Sequence, residues 1–113
     1  MMPMHSKWLP MAAVLLAACA AISQAKAFTA LERSGRALLK TMCARCHAID
    51  RSGASPHPDA PPFREIDRRL DLDSFVSQLG EGFSSGHPDM PTFRFSRSDA
   101  RAAVAYLRAI QGP

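Results

Sequence analysis

Residues 43–47 read Cys43-Ala44-Arg45-Cys46-His47, two thiols two residues apart with a histidine directly after the second. Each thiol can add across one vinyl group of a single haem, and the adjacent imidazole is then held under the iron as an axial ligand. Competing chemistries need more than this pentapeptide offers. A structural zinc site takes four ligands, usually from two cysteine pairs, and the chain has one pair. His57 and His87 lie in proline-rich contexts whose spacing does not match a zinc finger. A thioredoxin-like dithiol needs a βαβ setting, and no stretch here reads as strand. A disulfide across two residues would close a very small loop. The histidine at the fifth position selects covalent haem attachment over these alternatives.

One histidine leaves the opposite axial position to be filled. Downstream of residue 27 the only methionines are Met42 and Met90. Met42 adjoins Cys43 on the same segment and cannot reach the other haem face. Met90 lies in a turn-rich stretch, Ser84 to Phe93, with Pro88 and Pro91 restricting the backbone on either side. A lone methionine is ordinarily core filler, but with a haem histidine upstream Met90 is the expected sixth ligand. His87 is the rival, and bis-histidine ligation would lower the reduction potential relative to His/Met. His57, between two prolines, reads as a solvated loop residue.

Helical periodicity surrounds the motif. Thr29 is a candidate N-cap for a helix running into Cys43, with Leu31, Gly35, Leu38, Leu39 and Met42 on one face. Gly35 is disfavoured inside a helix by about 1 kcal/mol against alanine, which points to close packing there. Residues 51–62 are too rich in Pro, Gly and Ser for regular structure and read as an ordered loop, since Phe63 and Ile66 follow at once and need burial. A second helix is expected over Leu72–Leu79, capped by Asp71, with Gly80 and Gly82 ending it. The last begins at Ser96, with Asp99 three residues on, and turns Ala103, Tyr106, Leu107 and Ile110 inward. The expected fold class is all-α.

The 113-residue chain allows one small domain. Residues 1–27 read as a signal peptide: Lys7, an apolar run from Leu9 too short for a membrane span of about 20 residues, then Ala25-Lys26-Ala27 as a cleavage site. Leu16-Ala17-Ala18-Cys19 alternatively resembles a lipoprotein signal, with Cys19 acylated and the only membrane tether. Cleavage after Ala27 leaves Cys43 and Cys46 as the sole thiols, with no odd cysteine in an oxidising compartment. Lys7 and Lys26 leave with the leader, so residues 28–113 keep twelve of the fourteen basic side chains against ten acidic ones, a charge near +2. Two haem propionates would cancel that. No basic stripe with interleaved aromatics suggests nucleic acid. An 86-residue domain is small for burying its own core, and an attached, mostly apolar cofactor would supply the missing interior.

The order Gly35-x-x-Leu38, Cys43-x-x-Cys46-His47, a proline-rich loop, His87-Pro-Asp-Met90-Pro and Tyr106-Leu107 resembles a small monohaem bacterial class I cytochrome c over residues 29–110. The resemblance implies three to four helices wrapped around one covalently bound haem (heme c) and its iron. It implies that the first and last helices cross at Gly35 against Tyr106, and that a proline carbonyl, from Pro61 or Pro62, accepts the His47 N–H. It also implies docking of redox partners at the haem edge near Cys43 and Cys46, where Lys40 and Arg45 could contribute charge.

With both axial positions filled, substrate is kept from the iron, so the expected function is a periplasmic one-electron carrier, monomeric and forming transient complexes. A haem subunit of a larger periplasmic oxidoreductase is the first alternative. A ligand-binding or peroxidase-like haem protein is the second, and it requires Met90 to leave the iron.

Overall fold

The computed structural model describes Met2 and residues 26–113. The expectations for the apolar leader and for Cys19 lie outside the described residues. Within them run three α-helices, α1 (Ala30–Met42), α2 (Leu72–Glu81) and α3 (Arg97–Ile110), with a 3₁₀ helix at Phe63–Arg68 between the first two.

Helix α1 starts where Thr29 Oγ1 accepts from the Glu32 N–H at 3.1 Å while Glu32 returns a carboxylate to the Thr29 N–H at 2.9 Å. This reciprocal box satisfies two otherwise orphaned donors. Gly35 and Leu39 are buried on its inner face. Leu31 and Met42, expected on that face, are 49% and 41% exposed. They occupy the first and last turns, away from the crossing at Gly35.

At that crossing α1 meets α3. A Cβ on residue 35 would stand 1.9 Å from the Ala102 carbonyl oxygen and 3.0 Å from Tyr106 Cβ, so only glycine permits the approach. Helix α3 starts at Ser96, whose hydroxyl accepts from the Asp99 N–H at 3.1 Å. It buries Ala100, Ala102, Ala103, Val104, Tyr106, Leu107 and Ile110, a wider surface than the expected stripe because α1 and α2 both pack on it. Tyr106 is fully enclosed. Its hydroxyl donates to the Ile49 carbonyl at 2.7 Å and stands 2.9 Å from Asp50 Oδ1. Burial, then the Asp50 contact, push its pKa up to about 12. Arg36 closes the network with two bonds to the Asp50 carboxylate, at 2.9 and 3.1 Å.

Helix α2 is capped by Asp71 and packs Leu72, Phe75 and Leu79 inward. It runs past Gly80, which was expected to end it. Gly82 closes it with φ at +108°, a conformation glycine adopts without strain. The 3₁₀ segment buries Phe63 and Ile66, whose spacing of three matches its three residues per turn. The C-terminus is locked onto this segment by Gln111 Nε2 donating to the Phe63 carbonyl (2.7 Å) and by Gly112 N–H donating to Arg64 O (2.9 Å). A lone antiparallel pair, Phe83 with Phe93, is the only β contact among the described residues. The fold is all-α, as expected.

Candidate functional site

Cys43 caps α1, its N–H bonding to Leu39 O at 2.8 Å, and the chain then turns on the Cys43 carbonyl. Cys46 N–H and His47 N–H both donate to that oxygen, at 3.1 and 2.9 Å. One tight turn therefore gathers both thiols and the imidazole. The thiols are free and half-buried. Burial, helped by the neighbouring Cys46, pushes the Cys43 thiol up to about 11. A catalytic dithiol needs a depressed pKa, so this environment opposes a thioredoxin-like role. Among the described residues no group of three or more His, Cys, Asp or Glu is placed to hold a metal ion.

His47 is buried, only 8% exposed. Its Nδ1 lies 2.8 Å from the Pro61 carbonyl oxygen, which decides between the two candidate prolines. A carbonyl can only accept, so the partner assigns the ring proton to Nδ1 and leaves the lone pair on Nε2. Nε2 makes no hydrogen bond among the described residues. Phe63 stacks on the ring at 4.6 Å with 29° between planes, and Phe63 N–H is held by Ala48 O at 2.9 Å. Packing and hydrogen bonding thus fix both the orientation and the tautomer of the imidazole. Two free thiols and a buried, oriented imidazole with one available lone pair are the donor set that covalent haem attachment requires, and the residues fit that group.

The loop over residues 51–62 is ordered, as expected. Ser55 Oγ accepts from Ala48 N–H at 3.0 Å, and His57 N–H donates to Cys46 O at 3.1 Å. Met90 is half-buried in the loop over residues 84–92. The neck of that loop is closed by the Phe83–Phe93 pair, whose backbone bonds measure 2.7 and 3.0 Å. In its rival His87, Nδ1 accepts from Asp89 N–H at 3.2 Å, and Nε2 lies 3.5 Å from Asp59 Oδ2. His57 is not the solvated residue expected from its context. Its Nε2 stands 3.2 Å from Asp89 Oδ2, and so the loop after His47 is joined to the loop carrying Met90. The tripeptide His-Pro-Asp, present at 57–59 and again at 87–89, was the sequence signal for this contact. Lys40 and Arg45 are exposed beside the thiol turn.

Residues 30–107 match a family model described as cytochrome c oxidase, cbb3-type, subunit III. The chain is similar to cytochrome c-552 of Bradyrhizobium diazoefficiens, 32% identical over 98 residues that cover 87% of this chain and 92% of that protein. No solved structure matches. Among the described residues no helix is long and apolar enough to cross a membrane.

Proposed function

Because the chain belongs to the cytochrome c family, an electron-transfer family with covalently bound haem c, we propose that it is a periplasmic one-electron carrier with His47 and Met90 as axial ligands. Cys43 and Cys46 are the attachment thiols in this reading. When bound, the haem supplies a single iron that cycles between ferric and ferrous states. The observation that carries the reading is the buried His47 ring, its Nδ1 committed to Pro61 O at 2.8 Å and its Nε2 lone pair left for iron beside two free thiols. The Pro61 carbonyl makes the imidazole a stronger donor by drawing on its N–H. Phe63 holds the ring plane. Met90 would hold the iron together with His47 and keep external ligands out, which favours electron transfer over chemistry at the metal. Residues 1–27 export the protein, by cleavage after Ala27 or with a lipid on Cys19.

Met90→Ala in protein matured in the periplasm tests the ligation. It should retain covalent haem by intact mass, bind cyanide readily and show a lower reduction potential. An unchanged spectrum removes Met90 from the site, and fast carbon monoxide binding to the unsubstituted reduced protein removes the carrier reading.

A second reading, a haem subunit of a larger oxidoreductase, is favoured by the matched family description, which names an oxidase subunit. Stable co-purification with a partner at physiological salt would select it, since a shuttle forms small, weak interfaces.

A further inference from the structure

His-Pro-Asp occurs at 57–59 and at 87–89, and both copies fold alike. In each, histidine Nδ1 accepts from the aspartate N–H, at 3.1 Å for Asp59 and 3.2 Å for Asp89. The histidine carbonyl accepts from the next residue, Ala60 at 3.2 Å and Met90 at 3.1 Å. With Nδ1 accepting, each ring proton sits on Nε2. Each Nε2 is turned towards the other copy's carboxylate: His57 to Asp89 at 3.2 Å, His87 to Asp59 at 3.5 Å. The rings meet edge to face, centroids 5.8 Å apart. The two turns are therefore crossed in a near-symmetric clasp.

Its position is specific. The first copy hangs from the thiol turn through His57 N–H donating to Cys46 O at 3.1 Å, and the second ends on Met90. Inside the neck, the other hydrogen bonds of residues 84–92 are local, Gly86 and His87 N–H to the Ser84 and Ser85 hydroxyls. Among the described residues the His57–Asp89 hydrogen bond, with the longer His87–Asp59 approach beside it, is the only polar contact tying this loop to another segment.

We propose that the crossed clasp holds the Met90 loop against the Cys43–His47 turn, with His57 and Asp89 as positioning residues and His87 and Asp59 as their counterparts. The proposal rests on the reading of Met90 as sixth ligand. Both carboxylates are 67% exposed, so each pair is weak and sets how often the loop opens, not whether the domain folds.

Two isosteres separate the clasp from the local turn. Asparagine at 57 keeps an acceptor near the Nδ1 position and loses the cross-loop donor; glutamine keeps a donor near Nε2. In the ferric holoprotein, His57→Asn should raise hydrogen exchange of the 84–92 amides and the cyanide-binding rate by about two- to fivefold, the range for one exposed pair. His57→Gln should stay near the unsubstituted protein. His57→Asn and Asp89→Ala together should open the loop no further than either alone. Unchanged exchange and cyanide binding in His57→Asn, or equal opening by His57→Gln, overturns the clasp. Met90→Ala run in parallel separates the readings: an unchanged spectrum there refutes ligation, and loop exchange in the His57 variants then decides the clasp alone.

Discussion

Gly35→Ala sets local propensity against tertiary packing with opposite signs. Alanine favours a helix interior over glycine by about 1 kcal/mol, so a solvent-facing glycine in α1 would gain stability. At position 35 the new Cβ falls 1.9 Å from the Ala102 carbonyl oxygen and 2.5 Å from its carbon. A carbon–oxygen contact needs about 3.3 Å, so the helices must separate by more than about 1 Å there. The obstacle is backbone, with no rotamer to yield. Overpacking of this kind typically costs about 1–3 kcal/mol. The same movement disturbs Tyr106, whose hydroxyl bond to Ile49 O at 2.7 Å contributes about 1 kcal/mol more. After subtracting the propensity gain, the net loss is about 1–3 kcal/mol, equivalent to a melting temperature lower by roughly 4–24 °C in a domain of this size. Thermal unfolding of the ferric holoprotein, followed by far-UV circular dichroism, measures it. Gly80→Ala is the control: it is helical, a Cβ there meets nothing within 4 Å, and it should gain about 0.5–1 kcal/mol. A Gly35→Ala protein as stable as the unsubstituted one refutes the close-crossing account.

Tyr106→Phe strands the buried Ile49 carbonyl and should destabilise by about 1–2 kcal/mol in chemical denaturation; an unchanged midpoint would show that the hydroxyl contributes nothing. Arg36 holds the Asp50 carboxyl below its ordinary range, so this stabilisation is complete above the unfolded pKa of about 3.9 and is lost as pH falls through the lower native value. Asp50→Asn should therefore flatten the stability–pH curve below about pH 4, by no more than about 1 kcal/mol because Arg36 and Asp50 are 37% and 50% exposed; equal acid slopes in the two proteins would contradict this. Replacing Cys43 and Cys46 together by alanine should abolish covalent haem and leave a largely unfolded chain, because so small a core depends on the cofactor; a well-folded, haem-free double variant would refute that dependence.

The local signals of this chain were sufficient for the pentapeptide at 43–47, for the all-α class and for the caps at Thr29, Asp71 and Ser96, because each depends on residues within one turn of another. Local spacing also gave the inner face of α3, though it missed Ala100, Ala102 and Val104, which are buried because two helices pack there. It misjudged Leu31 and Met42, since apolar periodicity marks a face without marking how much of it a neighbour covers. The 3₁₀ helix was invisible to a period of 3.6, although its Phe63 and Ile66 were marked for burial.

What the tertiary structure alone decided are the contacts between distant segments. The Pro61 carbonyl, fourteen residues after His47, accepts a hydrogen bond from the imidazole N–H, and sequence could not choose it over Pro62 because both belong to one extended loop. His57 finds Asp89 across 32 residues, so its flanking prolines suggested solvent where the folded chain supplies a carboxylate. Candidate ligands are read from residue type and short spacing. Their orientation depends on carbonyls and carboxylates brought from elsewhere, and those partners exist only once the loops have closed.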